Sequence, residues 1–159
     1  MSTMECLLKM ADLNNILRVA PLFDEYRQWY GMSADLSGAR SFLMQRTQAS
    51  ESVVLFAETD DVVVGFVQLY PLFSSISLES IWVLNDLFVA VDFRGKGIGT
   101  MLLNAATEFA RETGAIRMEL ETASTNQTAQ RFYEAHGWQK ETEMLAYRLT
   151  LQESEERTR

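Results

Sequence analysis

The chain holds one cysteine, one histidine and two prolines in 159 residues. A lone Cys6 can form neither an internal disulfide nor a cysteine metal cluster, which fits a reducing cytoplasm. With so little proline, no low-complexity tract and no internal repeat, there is no obvious linker. Long apolar runs are missing too. LFVAV at 87 to 91 is among the longest, far short of the roughly 20 residues that a membrane span needs. The N-terminus lacks the basic region, apolar stretch and small-residue cleavage site of an export signal. Basic residues are outnumbered 14 to 22, a formal charge of −8, so the long-range field repels nucleic acid and attracts cations. These absences point away from membrane and nucleic-acid partners and leave room for a cationic small substrate.

What is present fills one core: 47% of the residues are hydrophobic and 11% aromatic. A single domain is expected over residues 1–151, followed by a charged tail, QESEERTR at 152–159, with no apolar residue and a solvated, frayed end. CLLKM at 6–10 reads as a strand. Asp12 is placed to cap a helix through Leu13, Ile16, Leu17, Ala20 and Phe23 that Pro21 kinks or divides. A second helix is expected from Ser37 through Phe42, Leu43 and Arg46. Residues 52–58 and 62–70 then form a hairpin around TDD. SIWVLNDLFVAV at 80–91 is long for a strand and carries Asn85 and Asp86 mid-run, where a bulge or a substrate-facing position would place them. Ile98, Met101, Leu102, Ala105, Ala106, Phe109 and Ala110 keep helical period up to the stop at Thr113-Gly114. IRMELET at 116–122 reads as a strand, 127–136 as a helix ended by Gly137, and MLAYRLTL at 144–151 as a last strand. The order is that of a mixed α/β (α+β) fold.

The most informative stretch is NDLFVAVDFRGKGIGT at 85–100, an apolar run that stops at a basic, glycine-dense bend and resumes as a helix. Such a bend presents unpaired N–H groups at the positive end of a helix dipole, and glycines let an anion approach them closely. Arg94 and Lys96 add charge-assisted contacts, so phosphate is the natural guest, with a structural turn as the plain alternative. The Walker pattern fails, since it needs glycine at 90 and Ser or Thr at 97 where the chain has Ala90 and Gly97. The dinucleotide pattern meets Thr100 where its last glycine belongs.

Arg94, Gly97 and Gly99 fill the acyl-CoA pattern Q/R-x-x-G-x-G/A, with DLFV before it and an amphipathic helix after it. One strand later comes N-x-x-A-x-x-F-Y-E-x-x-G-W at Asn126 through Trp138. On these motifs residues 80 to 140 resemble the GCN5-related N-acetyltransferase (GNAT) family. DLFV...DFRGKGIG is also similar to the matching segment of diamine (spermidine/spermine) acetyltransferases, although Asn85 stands where those enzymes carry glutamate.

The resemblance implies a mostly antiparallel, twisted central sheet flanked by about four helices, with acetyl-CoA as cosubstrate and no metal. It implies that backbone groups of Leu87, Phe88 and Val89 hold the pantetheine arm in a sheet opened between the strands ending near Val91 and starting near Ile116. The diphosphate would lie on Gly95, Lys96, Gly97, Ile98, Gly99 and Thr100 beside Arg94, the Asn126 side chain would hydrogen-bond the pantetheine, and Ala129 and Tyr133 would lie beside the cofactor. Tyr133 matches the family's general acid. An ordinary phenol, with a pKa of about 10, is protonated at neutral pH and can serve a departing thiolate. An attacking amine must instead lose a proton, and Asp86 is the candidate, either as a base through water or as a charge that orients the amine. A backbone N–H of a bulged strand around Val89 would meet the carbonyl oxygen.

Periodicity alone reads Tyr133 as a core aromatic beside Ala129, Phe132 and His136, and His136 as a structural group at a helix end. Tyr26, Trp29 and Tyr30 either line an amine pocket by cation–π contact or make an apolar helix stripe. Residues 71–80 form a loop that reaches toward the acceptor, and the methionines are core filler. The expected activity is acetyl transfer to a primary amine by direct attack, with a small or polyamine-like acceptor favoured. Acetylation of a peptide or protein amine and a non-catalytic CoA-binding sensor are the alternatives. Family members are often dimers, so a homodimer belongs to the same expectation.

Overall fold

The apolar runs in the middle of the chain build a sheet, and the periodic stretches on either side of them pack onto its two faces. A computed structural model describes residues 5–152, in two compact units that divide between Leu120 and Glu121. The first unit runs β1 (Leu7–Met10), α1 (Ala20–Trp29), α2 (Leu36–Gln48), β2 (Val53–Thr59), β3 (Val62–Ser74), β4 (Glu79–Val89), α3 (Ile98–Glu112) and β5 (Met118–Glu119). Its sheet has the order β1-β2-β3-β4-β5, antiparallel throughout except for the parallel pair β4 and β5. The second unit carries α4 (Gln127–Ala135). The mixed α/β architecture, mostly antiparallel with four helices, is the one the sequence predicts.

Pro21 does divide the first helical stretch. Asp12 Oδ1 accepts from the N–H groups of Asn14 and Asn15 at 2.8 and 3.1 Å, which opens a 3₁₀ turn at Ile16–Arg18. The α-helix starts only at Ala20, with Pro21 in its first turn, where a missing N–H costs nothing. Asp35 caps α2 by accepting from Gly38 N–H at 2.8 Å.

On one face of the sheet Phe23 and Tyr26 of α1 meet Phe66 and Phe88, with ring centroids 5.7 to 5.9 Å apart. On the other face α3 lays down Ile98, Leu102 and Ala106, all buried. Gly65 lets it come close: a Cβ there would stand 2.9 Å from Leu102 Cδ1 and 3.0 Å from Ile98 Cγ2.

Three expectations need correcting. Residues 71–80 are not a loop: Pro71–Ser74 continue β3 and Glu79–Ser80 begin β4, leaving only a turn at 75–78. Pro71 is tolerated because its partner Trp82 donates N–H to Arg117 O on the β5 side, so this is a pair without mutual hydrogen bonds. The missing N–H of Pro71 points away from β4, past the end of β2, which begins opposite Leu69. The strand expected at 116–122 is two residues long. Residues 144–151 are not a strand: Met144, Leu145, Tyr147, Leu149 and Leu151 are more than three-quarters exposed. Alternation prepares a strand, but a strand also needs a ladder partner. Of the expected tail at 152–159, residues 153–159 lie outside the described residues. No helix among the described residues is long and apolar enough to cross a membrane.

Glu58 is buried at a register shift in β2 and pairs with Lys9 of β1 and with Arg18. The Lys9 hydrogen bond, then that of Arg18 and both charges, hold its carboxyl below the usual carboxylate range against the opposing effect of burial. Because the folded-state value is depressed, the stabilisation is present above the unfolded value of about 4.3 and is lost as pH falls through the folded one. Glu58→Gln should therefore lower Tm at neutral pH, with the gap from wild type narrowing below about pH 4 in thermal melts. A gap independent of pH would show that the ion pairs contribute nothing.

Candidate active site

β4 is one residue too long for β3 at its middle. Gln68 pairs with Asp86 and the next residue, Leu69, pairs with Leu84, so Asn85 is the extra residue of a bulge. The bulge leaves Asn85 exposed and turns Asp86 inward to 5% exposure. Asp86 shares its face with Phe88, two residues on, and therefore lies under α1. Its carboxylate accepts from Gln68 Nε2 at 2.8 Å through Oδ2 and from Asn85 Nδ2 at 3.0 Å through Oδ1. Gln68 is fully buried, and its Oε1 has no hydrogen-bond partner among the described residues. Tyr70, two positions along the same face, has its phenol pushed up to about 12, chiefly by burial and then by the Asp86 charge, with Arg46 acting the other way.

Neither Gln68 nor Tyr70 was found from the sequence. The available signal was a lone amide inside the apolar run VVVGFVQLY, but only cross-strand register shows which acid it faces.

The aromatic stripe of α1 divides in two. Tyr26 is a core residue at 7% exposure, in contact with the rings of Phe23, Tyr30, Phe66 and Phe88. Trp29 and Tyr30 are exposed, at 62% and 43%. Arg94, from the basic bend, reaches back to this stripe: its guanidinium lies 4.6 Å from the Trp29 ring and 5.1 Å from Phe88, and Nε donates to Val89 O at 2.9 Å. The exposed end of α1 and the bend are thus joined through one side chain.

Beyond the bulge the edge of β4 opens. Ala90 N–H donates to Val64 O, so positions 88 and 90 turn their backbone toward β3, while Leu87 and Val89 turn theirs the other way. On that side β5 pairs only with Trp82 and Val83. Leu87 and Val89 therefore present backbone groups beyond the end of their neighbour, as a ligand arm lying along the strand would require. The bulge itself lies at Asn85; Val89, where a bulged donor was expected, is in regular register with Gly65.

The chain then makes a 3₁₀ turn, Val91–Phe93, and bends at two left-handed glycines, Gly95 at φ 72° and Gly97 at φ 81°. Gly97 is the N-cap of α3, and no side chain caps that helix. The first-turn N–H groups of Ile98, Gly99 and Thr100 precede the first intrahelical bond, Met101 N to Gly97 O at 3.0 Å. Lys96 rests 4.9 Å from the Phe93 ring. An uncapped helix start with a cation on either side of Gly95 fits a diphosphate by charge and by donor geometry.

Asn126, Ala129 and Tyr133 belong to the second unit. Asn126 is the N-cap of α4, its side-chain oxygen accepting from Ala129 N–H at 3.0 Å. Tyr133 is half-buried, with its ring 5.4 Å from Phe132 and 5.8 Å from Trp138. His136 Nδ1 lies 2.7 Å from Phe132 O, the helix-end role that its position predicts.

Comparison with known proteins identifies the family to which this fold belongs. The model of the acetyltransferase (GNAT) family matches residues 16–138. The chain is 41% identical over 144 residues to the uncharacterized N-acetyltransferase YhfO of Bacillus subtilis, covering 91% of this chain and 97% of that protein. The crystal structure of a probable acetyltransferase superposes with a TM-score of 0.87 at 39% identity, over 93% of this chain and 99% of the other. Aminoglycoside N-acetyltransferase AAC(6')-Iy in complex with CoA shares the fold, at a TM-score of 0.77 and 17% identity over 93% and 97% of the two chains. The chain belongs to the GNAT family of acetyltransferases, enzymes that transfer acetyl groups to amines.

The left-handed backbone at Gly97 is itself testable. A Cβ there would meet no atom within 4 Å, so Gly97→Ala acts through φ alone. It should lower unfolding stability by about 1 kcal/mol in urea titrations; an unchanged midpoint and slope would mean that the turn relaxes at no cost.

Proposed function

We propose that residues 1–151 act as one acetyl-CoA-dependent N-acetyltransferase domain that acetylates a primary amine by direct attack, with small, polyamine-like cations favoured as acceptors. One observation carries this reading: within about fifteen residues, β4 and its bend place a buried carboxylate, an open strand edge and an uncapped glycine turn in succession. That the family model spans the division between the two units supports treating 1–151 as one domain.

Acetyl-CoA supplies the activated acetyl group, and the chain's residues hold and orient it. The N–H groups at Ile98, Gly99 and Thr100 receive the diphosphate, flanked by Lys96 and Arg94. The backbone of Leu87, Phe88 and Val89 lines the arm, and the family motif assigns Asn126 and Ala129 to the cofactor as well. A backbone N–H on the open edge at Val89 serves the carbonyl oxygen. Tyr133 holds the proton destined for the departing sulfur. Asp86, under α1, faces the acceptor side, where it takes up the amine's proton through water or orients the amine by charge. Trp29 and Tyr30 are exposed aromatics that line the path of a cationic acceptor, Trp29 already carrying Arg94 on its ring and Tyr30 packed on Tyr26, with Asn85 at the rim. The net charge of −8 favours cationic acceptors over anionic ones.

Calorimetry should show heat of binding on titration with acetyl-CoA. A thiol-release assay over 1,4-diaminobutane, spermidine, an aminoglycoside and a short peptide with a free N-terminus should give turnover with at least one small amine. Binding without turnover would support the sensor instead, and turnover of the peptide alone would move the acceptor to protein. Tyr133→Phe should keep acetyl-CoA binding and slow turnover by about 10²- to 10⁴-fold, the range of a lost general acid. An unchanged rate would remove Tyr133 from that role.

A further inference from the structure

Three carboxylates are buried in the first unit, and two of them are matched by cations. Asp24 pairs with Arg27 at 2.8 Å and also accepts from Gln28 and from Asp35 N–H. Glu58 pairs with Lys9 and Arg18. Asp86 makes no ion pair among the described residues; both of its oxygens are held by neutral amides, Gln68 Nε2 and Asn85 Nδ2. A buried carboxylate is ordinarily matched by a cation, because two hydrogen bonds from neutral donors do not cancel its charge. Gln68 also carries a cost of its own, an Oε1 that is buried without a hydrogen-bond partner among the described residues. A leucine or methionine would fill the same space without that orphaned atom, so packing does not account for an amide at position 68.

We propose that Gln68 is a positioning residue for acetyl transfer: it fixes the Asp86 carboxylate with an uncharged donor, leaving the carboxylate's charge available to the nitrogen of the acceptor. The hydrogen bond sets the orientation of the amide, since a carboxylate can only accept and Nε2 must therefore face it. An arginine or lysine at position 68 would hold Asp86 equally well but would neutralise the charge that draws a cationic amine. Asn85 closes the other side of the carboxylate from the bulge, so the two amides grip Asp86 from adjacent strands. Tyr70, on the same face of β3, feels the charges of both Asp86 and Arg46, and Arg46 is paired with Glu51.

This inference rests on the reading of Asp86 as the acceptor-side carboxylate, and a double-mutant cycle separates the two. With whichever amine of the four-acceptor screen turns over fastest, kcat and KM are measured for the amine and for acetyl-CoA in wild type, Gln68→Met, Asp86→Asn and the double variant. Gln68→Met should raise KM for the amine, or lower kcat/KM for it, by about tenfold, the loss of one hydrogen bond to a charged group, while KM for acetyl-CoA stays within about twofold. In the Asp86→Asn background the same substitution should have little further effect, because its action runs through Asp86. Gln68→Glu, which puts a second carboxylate beside Asp86, should displace the pH profile of kcat/KM for the amine. It also serves as the test if Gln68→Met does not fold.

Should Asp86→Asn impair the amine parameters while Gln68→Met leaves them and the pH profile unchanged, the role of Gln68 is refuted and that of Asp86 stands. Equal losses for amine and acetyl-CoA together with a lowered Tm, additive with Asp86→Asn, would make Gln68 a structural residue only. Wild-type amine kinetics in Asp86→Asn, or no amine turned over by the wild type, would end both readings.

Discussion

The antiparallel ladder between β3 and β4, interrupted by one extra residue at Asn85, is the constraint on which the rest of the site depends. Side chains alternate faces along a strand, so a single inserted residue reassigns every side chain beyond it. On one side of the bulge Leu84 pairs with Leu69; on the other Asp86 and Phe88 lie on the face that α1 covers. Without the insertion Asp86 would have no reason to meet Gln68. The same ladder turns the backbone of Leu87 and Val89 toward the side where β5 has already ended, so the inward acid and the open edge have a common origin.

Charge is handled unequally across the first unit, and the inequality follows position. Where buried acids serve the scaffold, at Asp24 and Glu58, a cation from a neighbouring element is matched to each. At Asp86, among the described residues, only amides are supplied. The basic residues of the bend are arranged differently again: Arg94 stacks on Trp29 and Lys96 lies over Phe93. Both cations lie against aromatic faces and form no ion pair among the described residues.

Much of this was legible in advance where the signal is local. The hairpin at 53–70 and the helix after Gly97 follow from alternation and helical period, and the polar pair Asn85-Asp86 in an apolar run offered a bulge as one of two readings, which the register bears out. The turn at Gly95 and Gly97 was visible because left-handed backbone selects glycine. Less was visible where the answer depended on a partner. MLAYRLTL has the pattern of a strand, but residues 144–151 have no ladder. Residues 71–80 looked like a loop from their serines and proline, yet register with β4 holds most of them in strand.

The sequence by itself determined the class of fold and the glycine-bent helix start after Arg94, because period and left-handed glycines are properties of a few consecutive residues. It also nominated Asp86. Tertiary structure alone decided what surrounds that acid: Gln68 lies eighteen positions away in the chain and reaches it at 2.8 Å. It decided equally that Tyr26 would be core while Trp29 remains exposed beneath Arg94. Those outcomes depend on which strands pair and which helix covers them, and long-range register leaves no mark in any single stretch of residues.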